Sequence, residues 1–270
     1  MSELLRLLHA GKKPVVGMVQ LAALPGGSRY RDATIDGVLE RALAEAEILA
    51  ANGIDAMMVQ NLGDIPVDTK VALVQATWMT RVVAEIRRRF GVPVGLNMLE
   101  NDAEAMFAVA SASGADFVRI KIYVGAMVTP FGVETAQAFA AIRARTEWRA
   151  DDVAILADVH DRTGVPLVPD NLEGDLDAAV RLGAADALVL TGKSYAQTHD
   201  FIAAARRTVG AVPILVGGSV TAENVAEVNA VADGTIVSSS LKGSNTAFGR
   251  FDPAKVQSFM AAARIPRMAA

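Results

Sequence analysis

The sequence predicts a single (β/α)8 TIM barrel spanning residues 1–270, with a phosphate-binding site after strands 7 and 8. Eight short apolar runs alternate with Ala-rich helical stretches, which is typical of parallel βαβ units. No Pro-, Gly- or Ser-rich tract and no block of like charge divides the chain, so we expect one domain. The last two apolar runs break into small residues, and in this fold the loops at those positions commonly bind phosphate.

The predicted strands lie roughly 20 to 40 residues apart, which favours a closed barrel over an open doubly wound sheet. Helix-forming stretches separate them, for example residues 36–52 and 174–184. The strands are predicted, in chain order, over residues 15–20, 54–60, 92–98, 115–123, 153–159, 185–191, 212–218 and 233–239.

Two long loops follow the first two predicted strands, at residues 21–34 and 61–71. In a barrel both lie at the carboxyl ends of the strands, where active sites are built. We therefore expect a functional role for them. The alternative is a surface excursion that covers the barrel mouth or makes an oligomer contact.

Side chains alternate between the two faces of a strand, and the inward positions of this chain are unusually polar. Apolar residues such as Ile155 and Ala157 suit the outer, helix-covered face. The inward polar residues near the strand ends are Gln20, Gln60, Asn97, Arg119, Lys121, Tyr123, Asp158, His160 and Thr191. Because buried polar groups are costly unless they are paired or meet a ligand, their convergence at one end predicts a site.

The chemistry of these groups suggests two kinds of role. The catalytic candidates are Asn97, Lys121, Asp158 and His160, and the substrate-binding candidates are Gln20, Gln60, Asn61, Arg119 and Thr191. A pocket lysine can act as a base or form a Schiff base. An alternative of equal weight is that Lys121 and Asp158 form a structural ion pair. Asp158 and His160 share a strand face and could transfer protons together.

A divalent metal is a further alternative for Asp158 and His160, with Asp64 or Asp161 as additional ligands. We expect no resident metal, because no paired-His motif is present. The expected phosphate-binding residues are Gly217, Gly218 and Ser219 after the seventh strand and Ser239 and Ser240 after the eighth. Glycine permits close backbone approach to an anion, and Lys242 could add charge. Alternatively, the glycines only permit a tight turn and Thr221 caps the next helix.

The composition excludes several classes of function. The chain is 52% hydrophobic with mean hydropathy +0.31, a net charge of −4 and a pI near 5.5, and it contains no cysteine. Disulfides and thiolate metal sites are therefore excluded, and a nucleic-acid surface is disfavoured. No run approaches the roughly 20 apolar residues of a membrane span, and the first residues predict a helix rather than a signal peptide. We expect a cytoplasmic protein.

Six segments together resemble the BtpA/SgcQ family over nearly the whole chain. They are residues 17–30, 55–66, 95–103, 115–126, 212–225 and 232–242. The resemblance implies a phosphate-binding TIM barrel. One branch of the family is tied to photosystem I biogenesis and stability, with peripheral membrane association, and another lies among sugar-utilisation functions.

The chain also departs from the family pattern at its reactive end. Gln20 stands where we expect His, Gln60 where we expect Glu, and Lys121 where we expect Asn. Residues 161–168 replace an expected basic segment, and Ser238 replaces an expected Gly. These differences predict a divergent branch with a different substrate.

The leading functional prediction is an enzyme, expected to be a homo-oligomer, that acts on a small phosphorylated molecule. A sugar-phosphate isomerase, epimerase or lyase would use proton transfer by Asp158, His160 and Lys121. The alternative is a non-catalytic biogenesis or stability factor for a membrane complex of the photosystem I kind, with an exposed apolar patch. A second alternative is an FMN-binding protein, since the same phosphate site could hold that cofactor.

Overall fold

A computed structural model describes residues 1–264 of the chain. Its strands are β1 (Val15–Gln20), β2 (Ala56–Gln60), β3 (Val94–Asn97), β4 (Phe117–Ile120), β5 (Ala126–Thr129), β6 (Gly132–Thr135), β7 (Ala154–Asp158), β8 (Val165–Pro166), β9 (Ala187–Leu190), β10 (Ile214–Val216) and β11 (Gly234–Val237). Eight of them pair in parallel and close into a barrel in the order β1-β2-β3-β4-β7-β9-β10-β11. Each barrel strand lies within one of the eight predicted runs, so the TIM-barrel prediction is confirmed.

Most of the helices lie between successive barrel strands and cover the outside of the barrel, whereas the first helix precedes β1 and the last follows β11. They are α1 (Glu3–His9), α2 (Ile35–Ala51), α3 (Leu73–Arg89), α4 (Ala103–Ser113), α5 (Ala138–Glu147), α6 (Leu172–Asp177), α7 (Tyr195–Val209), α8 (Val225–Val231) and α9 (Pro253–Ala263). Side chains that accept from backbone N–H groups cap several of them, namely Thr34, Asp102, Ser194 and Asp252. Such caps satisfy amides that a helix start leaves without an intrahelical partner.

The alternation of strand faces divides the apolar core into two parts. Ile155 and Ala157 pack in the outer layer against the helices, whereas Leu156 and Val189 fill the barrel interior. Leucines of α1 join the interior cluster. Backbone N–H groups of Glu3 and Leu4 donate to Asp116, just before β4, so α1 closes the barrel at the amino ends of the strands. The opposite end remains open for a site.

A small antiparallel sheet of β6, β5 and β8 stands outside the barrel. This sheet is built from the segments that follow β4 and β7. It was not predicted from the sequence. Its strands are only two to four residues long and mostly exposed, so they carry little of the buried apolar pattern that marks the barrel strands. No helix within residues 1–264 is long and apolar enough to cross a membrane.

Candidate functional site

A cavity of about 780 Å³ lies at the carboxyl ends of the barrel strands. This volume is within the range of small-molecule sites. Of the two long loops, the second contributes Leu62 and Ile65 to the lining. The first lies behind it, because the N–H of Leu24 donates to Asp64 Oδ1 at 2.6 Å. The predicted phosphate residues Gly217, Gly218, Ser219, Ser239 and Ser240 all line this cavity.

The loop after β10 depends on Gly217, whose N–H donates to Thr191 Oγ1 at 3.1 Å. A Cβ at position 217 would lie 2.7 Å from Val189 Cγ1 and 2.8 Å from Thr191 Oγ1, so a side chain there would displace the wall. Thr191 is buried beneath this loop rather than in the cavity lining. Its hydroxyl therefore shapes the loop.

Four backbone N–H groups in the two small-residue loops remain available to a ligand. They belong to Gly218, Ser219, Ser239 and Ser240, and within residues 1–264 none donates to another protein group. Ser219 is held at φ 60° in the left-handed region. Thr221 does not cap α8: its N–H donates to Asn224 Oδ1, and the helix begins after Asn224. Exposed amides on adjacent loops are suited to anion binding.

Two cations on this side of the cavity were not predicted from the sequence. Arg162 reaches across from the segment after β7, and its Nη1 donates to Ser219 Oγ at 2.9 Å. Lys255 of α9 donates to Asn245 Oδ1 and to the carbonyl oxygen of Lys242. Arg162 belongs to the loop after β7, whose last residue is Asp158, and its place in a loop at the barrel mouth could have signalled it. Lys255 lies in a helix pattern with no such signal.

The floor of the cavity contains a chain of amide hydrogen bonds. Gln20 Nε2 donates to Gln60 Oε1 at 3.1 Å, and Gln60 Nε2 donates to Asn97 Oδ1 at 2.6 Å. Asn97 Nδ2 then donates to the carbonyl oxygen of Arg119 at 2.9 Å. Gln20 and Gln60 line the cavity, whereas Asn97 is fully buried beneath them. The structure thus brings three predicted site residues into one continuous network.

Arg119 and Asp158 form a two-point ion pair inside the barrel mouth. Arg119 Nε donates to Asp158 Oδ2 at 2.8 Å, and Nη2 donates to Oδ1 at 2.7 Å. Burial raises the pKa of Asp158 to about 6, and the charge of Arg119 opposes that rise. Asp158 does not line the cavity. It is therefore placed to hold Arg119, which does.

Lys121 takes a different partner from the one considered in the sequence analysis. Its Nζ lies 3.2 Å from Asp161 Oδ1 and donates to Thr163 Oγ1, and all three residues line the cavity. Burial raises the pKa of Asp161, but the charges of Lys121 and Arg119 and the Thr163 hydrogen bonds bring it below its usual value. Both members of this ion pair line the cavity, unlike the Arg119–Asp158 pair, of which only Arg119 does.

The sequence predicts that His160 and Tyr123 point into the barrel mouth, and this prediction is wrong for both. His160 has φ 55°, so the strand alternation ends at Asp158 and the imidazole turns away. Its Nε2 lies 2.8 Å from Asp175 Oδ2, and its ring packs edge-on against Phe201. Tyr123 is buried in the outer layer and donates to the Gly183 carbonyl. Neither side chain lines the cavity.

Asn61 lies behind the cavity, in a buried polar cluster that ties the loops after β1, β2 and β3 together. Asn61 Nδ2 donates to Asp64 Oδ2 and to both oxygens of Glu100, and Gln75 Nε2 donates to both carboxyl groups. Burial raises the pKa of Asp64 and of Glu100. Asn61 therefore supports the loops and does not touch the ligand space.

No group of three or more His, Cys, Asp or Glu side chains within residues 1–264 is arranged to hold a metal ion. Asp158 and His160, the pair considered for a metal, are each engaged elsewhere, with Arg119 and Asp175 respectively.

A profile described as the BtpA family matches residues 11–265. The photosystem I biogenesis protein BtpA of Synechocystis sp. is 34% identical over 92% of this chain and 87% of its own length. The putative sgc region protein SgcQ of Escherichia coli is 29% identical over 92% of this chain and 93% of its own length.

Solved structures confirm the fold at low sequence identity. Tryptophan synthase from M. tuberculosis superposes with a TM-score of 0.65 at 15% identity and covers 98% of this chain and 99% of its own. N-(5′-phosphoribosyl)anthranilate isomerase from Pyrococcus furiosus gives a TM-score of 0.57 at 19% identity, with 93% of this chain and 98% of its own covered.

Proposed function

The chain belongs to the BtpA family, and we propose that it binds a small phosphorylated metabolite and acts on it as an isomerase, epimerase or lyase. One observation carries this proposal. The loops after β10 and β11 place four free N–H groups and serine hydroxyls around one end of the cavity, where Arg162 and Lys255 add positive charge. A phosphate dianion, with several acceptor oxygens, matches that set of donors.

The charges around the cavity support the position of the phosphate. Arg119 and Lys121 each have a carboxylate partner. Arg162 and Lys255 have none within residues 1–264, and hydrogen bond only to neutral oxygens. An anion bound beside Ser219 would therefore meet two cations that form no ion pair with a carboxylate among the described residues.

The reactive group that best fits the geometry is the Lys121–Asp161 pair. Both side chains line the cavity, and a lysine and a carboxylate 3.2 Å apart can hold and return one proton. Asp158 and Asn97 are placed to position Arg119, through its guanidinium and its carbonyl respectively. His160 has no direct part in this arrangement. The isomerase neighbour is named for a phosphoribosyl substrate, which is the same chemical class.

Calorimetric titration tests the phosphate half of the proposal, with ribose 5-phosphate compared against ribose and inorganic phosphate. We expect ribose 5-phosphate to bind and ribose not to bind measurably. Ser239→Asp should weaken binding at least ten-fold, because it adds negative charge beside the free amides. Ser111→Asp is the matched control, since Ser111 is exposed on α4, away from the mouth. Equal affinity for ribose and its phosphate would contradict the proposal.

A second candidate function has one specific observation in its favour. In the small outer sheet, Val128 pairs with Val133 on one side and with Val165 on the other. All three valines are about half exposed. Leu167 and Val168 continue this surface. An exposed apolar patch of this kind is typical of a partner surface, as a biogenesis or stability factor would need.

Complementation separates the two candidates in a strain lacking this gene. An assembly factor should tolerate Lys121→Met but fail with Val133→Lys combined with Val165→Lys. An enzyme should fail with Lys121→Met and tolerate the combined Val133→Lys and Val165→Lys variant. A shift of the flavin absorbance bands when FMN is titrated with the protein would instead favour the FMN alternative, which has no specific geometric observation in its favour.

A further inference from the structure

The amide chain of Gln20, Gln60 and Asn97 has a fixed direction, because both of its ends admit only one orientation. At one end, Lys242 Nζ and Ser238 Oγ each donate to Gln20 Oε1 at 2.7 Å. A lysine ammonium has donors only, so the atom facing it must be the amide oxygen. At the other end is the Arg119 carbonyl, which can only accept, so Asn97 must present its nitrogen.

The two ends agree on one direction through the whole chain. With Gln20 Oε1 turned toward Lys242, its Nε2 faces Gln60 Oε1, and Gln60 Nε2 faces Asn97 Oδ1. Reversing any one amide would set two oxygens or two nitrogens against each other. Lys242 is itself held in place: it is 2% exposed, donates to the Ala247 carbonyl and lies 5.2 Å from the centre of the Phe251 ring.

The direction of the chain decides what the cavity floor offers to a ligand. Gln20 Oε1 already accepts from two donors, so Gln20 can act toward the cavity only as a donor. The Nε2 atoms of Gln20 and Gln60 each carry a second N–H that has no partner among residues 1–264. Lys121 and Arg119 also line the cavity and carry hydrogen-bond donors. The floor is therefore rich in donors. It begins beside the phosphate loops, where Gln20 meets Ser238, and continues through Gln60 toward Arg119 and Lys121.

We propose that Lys242 is a positioning residue that keeps the Gln20 amide oxygen turned away from the cavity, so that the floor selects a phosphorylated ligand whose other end carries acceptor oxygens, a carboxylate above all. This inference rests on the proposed function for the phosphate end and names the class of the other end. Lys242 acts through Gln20 and does not line the cavity.

Three small phosphate esters that differ at their far end test the proposal: 3-phosphoglycerate, glycerol 3-phosphate and phosphoethanolamine. We expect 3-phosphoglycerate to bind at least ten-fold more tightly than glycerol 3-phosphate, since its carboxylate accepts charge-assisted hydrogen bonds from the floor. Phosphoethanolamine should bind most weakly, because its ammonium has only hydrogen-bond donors and would face the donors of the floor. Affinity for phosphoethanolamine equal to that for 3-phosphoglycerate overturns the proposal.

Two variants test the role of Lys242. The readout is the ratio of the Kd values for glycerol 3-phosphate and 3-phosphoglycerate, which a general loss of structure would not change. Lys242→Met removes one of the two donors to Gln20 Oε1 and lets that oxygen turn toward the cavity as an acceptor, so it should lower this ratio at least five-fold. Gln20→Glu, which replaces the donor by an acceptor while keeping a partner for Lys242, should abolish the preference even if Lys242→Met does not fold. An unchanged ratio in a folded Gln20→Glu variant overturns the proposal.

Inorganic phosphate separates this proposal from the one on which it rests. If neither inorganic phosphate nor any of the three esters binds, the proposed function fails, and this inference fails with it. If phosphate and all three esters bind with one affinity, the phosphate site stands and only the donor-rich floor is overturned.

Discussion

Two groups of cations border the same cavity, and they differ in their partners. On the β4 and β7 side, Arg119 is paired with Asp158 and Lys121 with Asp161. Arg162 and Lys255, which border the loops after β10 and β11, have no carboxylate partner within residues 1–264. In the first group each charge is balanced by a carboxylate of the protein itself. The second leaves its charge for a ligand.

This difference predicts different consequences for substitution. A buried charge that loses its partner destabilises the fold, because desolvation is no longer compensated. An exposed charge without a partner contributes little to stability and acts mainly on what binds. The paired side should therefore respond in unfolding experiments and the unpaired side in binding experiments.

The largest expected effect is on the Arg119–Asp158 pair. Asp158→Asn removes the two-point partner of a buried guanidinium and leaves it only Asp161 Oδ2, 3.9 Å from Nη2. We expect the free energy of unfolding to fall by about 3–5 kcal/mol in urea denaturation. Combining it with Arg119→Met should restore part of that loss, since the uncompensated charge is removed. The matched control is Arg143→Gln, which breaks an exposed pair with Glu104 and should cost less than about 1 kcal/mol. Equal losses in the two single variants would contradict the distinction.

Lys242 is a third kind of cation, because it is buried like Arg119 but donates to an amide oxygen instead of a carboxylate. Burial lowers its pKa to about 8. In the unfolded chain the lysine pKa is near its ordinary value of about 10.4, so the unfolded state binds more protons between these values. The free energy of unfolding should rise as pH increases through that window, by at most about 3 kcal/mol. It should rise less in Lys242→Met, and parallel pH profiles of the two proteins would contradict the assignment.

The fold could be predicted from the sequence because barrel strands leave a strong local signal. Each apolar run from residues 15–20 to 233–239 contains a strand, and the small residues after the last two lie around the cavity. Period-two alternation also placed Arg119 and Asp158 on the interior face. It failed at His160, where a left-handed backbone ends the strand, and at Tyr123, which lies three residues beyond the end of β4. Alternation holds only while the backbone stays extended.

Partner identity could not be predicted from strand position. Lys121 pairs with Asp161, which follows the end of β7, and not with Asp158 within that strand. Arg162 and Lys255 reach the cavity from a loop and a helix, so no periodicity points to them. Which partner a long side chain contacts depends on how distant segments pack in three dimensions. The pattern of residues along the sequence does not contain that information.

On the unpaired side, Arg162→Gln should change binding without changing stability. Loss of one charge-assisted hydrogen bond to phosphate corresponds to about a ten-fold weaker Kd for inorganic phosphate, measured by calorimetry. Because Arg162 is exposed, the urea midpoint should stay close to that of the unsubstituted protein. Arg143→Gln serves again as the control, with no change in Kd. A large loss of stability in Arg162→Gln would place this residue with the paired group instead.

The smallest expected effect is at His160, which lies behind the wall that the other residues form. Asn accepts the left-handed φ of 55° more readily than most residues, so His160→Asn should fold and should remove only the contacts to Asp175 and Phe201. Since the imidazole does not line the cavity, the Kd for inorganic phosphate should change less than two-fold. A ten-fold change would mean that the ring turns toward the ligand on binding. The site would then include His160 and Asp175 as a third pair beside Arg119–Asp158 and Lys121–Asp161.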